Sequence, residues 1–172
     1  MRTKLIITAN GPDKKGIVSE ISSIINHYNC NIETSKMVRL ENEFSMLILI
    51  DAENTKKESL YIDLKKIKDL KIQIIETTRN HNIIYKNKFH LYINGADNEG
   101  IVYQFSNYLS KIDINIEEIN TQIKNAPISA TPLFMMDVII GSKKQINEEK
   151  IMIELNKISE KLGVEVNLKK IK

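Results

Sequence analysis

The stretch Asn10-Gly11-Pro12-Asp13-Lys14-Lys15-Gly16-Ile17-Val18 returns as Asn94-Gly95-Ala96-Asp97-Asn98-Glu99-Gly100-Ile101-Val102, at an offset of 84 residues. Without a gap, the same offset carries Ser22 onto Ser106, Ile25 onto Leu109, and Asn31-Ile32-Glu33 onto Asn115-Ile116-Glu117. A chain that repeats itself at this interval is expected to fold as two copies of one unit. With 172 residues in all, each copy has the length of a small domain.

Each copy opens with a strand-like apolar run, residues 4–9 and 89–93, that stops at an Asn-Gly breaker. Ile17, Val18, Ile21, Ile24, Ile25 and Tyr28 then recur at the spacing of one helical face, as do Ile101, Val102, Phe105, Tyr108, Leu109 and Ile112. Residues 31–40 and 44–50 read as a hairpin, with Phe44, Met46, Ile48 and Ile50 alternating to one face. Leu60, Leu64 and Ile67 mark a helix over 56–70, and 71–77 a closing strand. The second copy follows suit with strands at 116–123 and 133–140, a helix through Ile151, Leu155, Ile158 and Leu162, a cap at Gly163 and a last strand at 164–168. It differs in the longer Pro-containing hairpin loop, residues 124–132.

Strand, helix, strand, strand, helix, strand with right-handed crossovers gives the split βαβ arrangement. The expected fold class is therefore α+β: two ferredoxin-like βαββαβ modules in tandem, with antiparallel sheets and helices on one face. The expected boundaries are residues 1–79 for the first module, 80–87 for a polar linker and 88–172 for the second. Several strands, such as Leu47-Ile48-Leu49-Ile50 and Leu133-Phe134-Met135-Met136, are apolar on both faces. Contact between repeats or between chains is expected to cover them.

Composition narrows the function. Apolar residues at 42% and charged residues at 27% suit a globular chain with a core. The formal charge of +3 is small and the lysines lie among acidic neighbours, so direct nucleic-acid binding is not expected. Lys65, Lys66, Lys68 and Lys71, and Lys169, Lys170 and Lys172, read as solvated faces. The single cysteine, Cys30, excludes an intramolecular disulfide; it falls where the second copy has Ile114, which points to a small buried hydrophobe. No run is apolar enough to cross a bilayer, and the N-terminal run is too brief for a signal peptide. The cytoplasm is the expected location, with no membrane association.

The loop between the first strand and the first helix is where chemistry can sit. A helix N-terminus offers unpaired N–H groups and partial positive charge to an anion. Gly16 and Gly100 leave room for a small carboxylate to reach the amides at Ile17, Val18, Ile101 and Val102. Gly11 and Gly95 shape the loop and are themselves candidate ligand-binding residues. Asp13 and Asp97 can take a ligand ammonium, and Asn31 and Asn115 each offer a donor and an acceptor. A zwitterion is matched at both ends. Against this stands a plainer reading: Asp13 and Asp97 as helix caps, the glycines as turn residues, the asparagines as strand-edge partners. The loop lacks the Lys-Ser/Thr ending of a phosphate loop. His27, His81 and His90 are isolated, no metal set or nucleophile–base spacing occurs, and neither catalysis nor a cofactor is expected.

Gly11-Pro12-Asp13-Lys14-Lys15-Gly16-Ile17-Val18 followed by Asn29-Cys30-Asn31-Ile32 resembles the ACT domain signature. Tandem modules of this length, and Thr131-Pro132-Leu133-Phe134 after the long loop, are similar to the glycine cleavage system transcriptional repressor family. The resemblance implies ligand contacts at Asp13, Gly16, Asn31, Asp97, Gly100 and Asn115, with the ligand held between paired modules. The family motif often has proline before the second glycine, where Lys15 and Glu99 stand here. The implied function is a non-catalytic sensor of a small amino acid, glycine or serine being candidates, that acts as a homodimer on a transcription factor or enzyme partner. The alternatives are a dimerisation module without ligand, or a regulatory fragment related to an enzyme such as formyltetrahydrofolate deformylase.

Overall fold

Alternation along two central strands builds the first module. The computed structural model describes residues 2–77, 85–125 and 131–171. In it, Leu5, Ile7 and Ala9 of β1 (Arg2–Pro12) and Phe44, Met46, Ile48 and Ile50 of β3 (Glu43–Glu53) are buried. The strands pair antiparallel with Leu5 against Ile50 and Ile7 against Ile48, so the two apolar rows merge into one floor. On it lie α1 (Ile17–His27), through Ile17, Ile21 and Ile25, and α2 (Lys57–Lys65), through Leu60 and Leu64. With β2 (Asn31–Leu40) and β4 (Lys71–Thr77) at the edges, the sheet order is β2-β3-β1-β4.

The second module repeats the plan. Its elements are β5 (Asn87–Ala96), α3 (Ile101–Lys111), β6 (Asn115–Asn125), β7 (Pro132–Ser142), α4 (Glu148–Leu162) and β8 (Val164–Ile171), with sheet order β6-β7-β5-β8. Phe89, Leu91, Ile93, Phe105, Leu109, Val138, Ile140 and Leu155 fill its core. The chain divides into two compact units, Met1–Asn82 and Ile83–Lys172. Both are the ferredoxin-like βαββαβ sandwich.

The repeat extends to features that no hydrophobic pattern announces. Ladder register slips between Ile32 and Thr34 and between Ile116 and Glu118, leaving Glu33 and Glu117 as single bulged residues. The bulged glutamates pair with Lys4 and Lys88, which are themselves 84 residues apart. Asn29 and Asp113 both take left-handed backbone after the helix, at φ 53° and 62°.

Three expectations change. The helix over 56–70 is shorter, ending at Lys65. Lys66 and Ile67 bond three residues back, to Asp63 and Leu64, and tighten the chain into a turn. Val18 and Val102, placed on the buried stripe, are 41% and 40% exposed, because a step of one residue turns about 100° away from Ile17 and Ile101. Cys30 is half-buried against the core, and burial pushes its thiol pKa up. The sheets, as their two-faced apolar strands predict, leave an open face. In the first module Leu47 and Ile75 are 49% and 55% exposed; in the second that face carries Tyr92 and the pair His90–Asp137 at 2.8 Å. The expected linker falls mostly, and the tip of the long hairpin loop wholly, outside the described residues.

Gly11 and Gly95 close the sheets. A Cβ on Gly11 meets the Asp69 carbonyl oxygen at 2.2 Å, and one on Gly95 meets the Val164 Cα at 2.7 Å. Backbone cannot yield cheaply, so Gly11→Ala and Gly95→Ala should each destabilise their module by about 1–3 kcal/mol in urea unfolding. A second measurement concerns Asp63, which accepts from the Tyr28 hydroxyl at 2.6 Å and the Lys66 ammonium at 2.6 Å. These bonds, Lys66 foremost, hold its carboxyl below the usual range. A depressed folded pKa stabilises fully above the unfolded value, about 4, and that stabilisation is lost as pH falls through the folded value. The unfolding midpoints of wild type and Asp63→Asn should converge as pH drops from about 6 to about 3; curves that stay parallel would show that this contact carries no linkage.

Candidate functional site

The β1–α1 loop is held from three sides. Asp13 N–H donates to the Asn42 carbonyl at 2.8 Å, tying the loop to the β2–β3 turn. The Lys14 ammonium donates to the Lys68 carbonyl at 3.3 Å, past the end of α2. The Asp13 carboxylate lies 3.6 Å from the Arg39 guanidinium of β2. In the second module Asn98, 84 residues after Lys14, donates through its amide to the Leu162 carbonyl at 2.8 Å. Two different side chains thus perform the same tether. Arg39 was not legible as a site residue because the repeat has Ile123 in its place.

Gly16 and Gly100 are the N-cap residues of α1 and α3, at φ 96° and 85°, with no side-chain cap bond. The capping reading of Asp13 and Asp97 therefore fails, and the helix starts stay open. A Cβ on either glycine finds nothing within 4 Å, so the requirement is conformational and the space beside the amides is free. Ile17 and Ile101 are 2% exposed: their side chains belong to the core, which leaves only their backbone N–H groups to the loop. The Ile17 N–H makes a long 3.5 Å contact with the Lys14 carbonyl.

Asn31 and Asn115 stand elsewhere. Asn31 pairs with Asp51, which pairs with Lys4 near the start of β1, whereas Asp13 follows the end of β1. The 11-residue helix α1 separates Gly16 from Asn31 by about 16 Å. Within one module the structure brings together Asp13 and Gly16, but not Asn31 with them; the second module repeats this separation. At the asparagine end the modules diverge. Arg2 bonds the Asp51 carboxylate at 3.0 Å and its carbonyl at 2.8 Å. The Asn115 amide instead donates to the Tyr85 hydroxyl at 2.9 Å. Among the described residues no group of three or more His, Cys, Asp or Glu is placed to hold a metal ion. Among the described residues no helix is long and apolar enough to cross a membrane. His27 stands edge-on to the Tyr28 ring at 5.1 Å, and His81 lies outside the described residues.

Comparison with known proteins decides the family. The ACT domain model matches residues 3–75. A UPF0237 protein of Methanocaldococcus jannaschii is 30% identical over 87 residues, 49% of this chain and 93% of that protein. The chain belongs to the ACT domain family. The glycine cleavage system transcriptional repressor of Escherichia coli is 41% identical over 46 residues, 27% of this ACT chain and 24% of the repressor. The chain spans about half (54%) of the length of a further UPF0237 relative, from Methanopyrus kandleri. A solved structure of an unknown protein from Galdieria sulphuraria superposes over 100% of both chains with a TM-score of 0.87 at 23% identity, which shows a shared fold over the whole length.

The open space at Gly16 separates strain from clash. Gly16→Ala should cost about 1–2 kcal/mol, the price of left-handed backbone for an ordinary residue. Gly16→Asn should cost less, because Asn tolerates that region. Thermal unfolding of both variants checks the order; equal losses would mean that the loop depends on something other than its φ.

Proposed function

We propose that this ACT protein is a non-catalytic regulatory sensor for a small amino acid, with glycine and serine the first candidates, acting through contact with a transcription regulator or metabolic enzyme. The observation that carries it is the position of the two halves of the site at opposite ends of an exposed edge strand. All ten residues of β2 are exposed, and an unpaired strand edge seeks a partner strand. Two copies related by a two-fold axis pair such edges antiparallel, which sets Asn31 of one copy beside the Leu40 end of the other. That end carries Arg39, Asp13 and the open amides after Gly16.

In this arrangement the α-carboxylate meets the helix start, and the ammonium meets Asp13, whose carboxylate Arg39 orients. Asn31 of the second copy supplies a donor and an acceptor from the other side. Ligand then stabilises the paired state over the unpaired one, and a tenfold preference is about 1.4 kcal/mol of bias. Such a shift is sufficient to change how a partner protein is engaged. The match to the Escherichia coli repressor supports a role in regulation, with the partner's identity carried over only as a class.

Calorimetric titration with the common amino acids tests the reading. Glycine or serine should bind, and Asp13→Ala or Asn31→Ala should each weaken binding at least tenfold. Mixing the two variants should restore about a quarter of the sites, because half of the pairs are mixed and in each of these one of the two sites joins an intact Asp13 to an intact Asn31. No heat from any amino acid at millimolar concentration would reduce the chain to a dimerisation module. Binding that survives in both variants would place the site elsewhere.

A further inference from the structure

The asparagine end of the second module is not a copy of the first. Gly141 pairs with Asn115 and Lys88, as Asp51 pairs with Asn31 and Lys4. Where Asp51 carries Arg2, Gly141 carries the Tyr85 ring. A Cβ at position 141 would lie 2.6–2.9 Å from three ring carbons, so the absence of a side chain there is what seats the tyrosine. The Asn115 amide then holds the phenol oxygen at 2.9 Å. Nearby, Lys86 N–H donates to the Ser142 carbonyl at 2.9 Å and the Asn87 amide donates to the Lys144 carbonyl at 3.2 Å. The segment bearing Tyr85 is thereby fixed to β7 and to the turn after it.

Between this ring, the carboxyl end of α3 and the start of β6 lies a cavity of about 560 Å³. That falls within the ~300–1,000 Å³ of small-molecule sites and exceeds what glycine or serine fills. Its apolar wall is Ile114 and Ile116; its polar groups are Ser106, Ser110, Asn115 and the Tyr85 hydroxyl. Two charges border it, Asp113 and Lys143. Asp113 is bound to Lys144 at 2.8 Å, a contact that holds its carboxyl below the usual range. With that charge compensated, Lys143 sets the sign and favours an anion, while the carbonyl end of α3 favours an ammonium.

We infer that this cavity is a second ligand site, taking an amino acid whose side chain ends in an amide or carboxylate. Lys143 receives the α-carboxylate, the α3 carbonyl end the ammonium, Ile114 and Ile116 the methylenes, and Tyr85 with Asn115 the side-chain terminus. Tyr85 is then the specificity-determining residue, and the two modules sense ligands of different length. The inference rests on the amino-acid-sensor reading but uses residues of the second module alone.

The test is calorimetric titration of the full chain with L-glutamine, L-glutamate, L-alanine and glycine. Glutamine or glutamate should bind at least tenfold tighter than alanine. Lys143→Ala should lose that binding at least tenfold, Tyr85→Phe should narrow the preference, and Gly141→Ala should abolish it by evicting the ring. Circular dichroism of the Tyr85→Phe and Lys143→Ala proteins should match that of the wild type, as a control for folding. Glycine or serine binding without any preference for the longer side chains would overturn the cavity inference and leave the sensor reading standing. A preference unchanged in both Lys143→Ala and Tyr85→Phe would also overturn it. No heat from any amino acid would overturn both.

Discussion

Everything in this protein follows from sheets that are buried on one face only. The apolar row of β1 and β3 beneath α1 and α2, and that of β5 and β7 beneath α3 and α4, supplies each module with its core. Because two helices cover the central strands, β2 and β6 are left at the rim. Nearly every residue of both is exposed. An edge strand of this kind is a liability in an isolated module and an opportunity in an assembly. It also sets the distance between the chemistry at its two ends, since the loop before the helix and the strand after it must lie a helix length apart.

That separation gives the ligand-site reading its form. A single module cannot close the Asp13–Gly16 loop and Asn31 around one small molecule, so under the proposed function sensing and pairing are one process. A ligand that bridges two copies stabilises their association by as much as it prefers the bridged state. The open N-caps at Gly16 and Gly100 fit this, because a side-chain cap would occupy the amides that a carboxylate needs. Lys14 and Asn98 reach the same kind of target, a carbonyl at or just past the end of the second helix, so the loop is held in position without its helix start being filled.

The modules keep their scaffold and vary their corners. The bulged glutamate with its lysine, the left-handed residue after the helix and the close-approach glycine recur in both. The groups around them do not: Arg39 is matched by Ile123 and Lys15 by Glu99, and Arg2 over Asp51 gives way to Tyr85 over Gly141. Constraints of packing act on backbone approach and tolerate little change. Surface groups at a strand end are free to diverge, and there the two halves of the chain acquire different electrostatics.

The repeat, the element order and the buried alternation of Phe44, Met46, Ile48 and Ile50 were legible in the sequence because periods of 2 and 3.6 residues are local properties. The ACT signature was legible for the same reason: its glycines, aspartate and asparagine keep a spacing. What local pattern does not contain is which residues meet. Gly11 and Gly95 look like loop formers, yet they serve the passage of β4 and β8. Arg39 and Tyr85 carry no motif, yet one touches Asp13 and the other Asn115. The sequence by itself determined two modules, their cores and a set of candidate ligand groups. Only the tertiary structure decided that those groups stand at opposite ends of a module, because the helix between Gly16 and Asn31 has a fixed rise and the strands beneath it a fixed register.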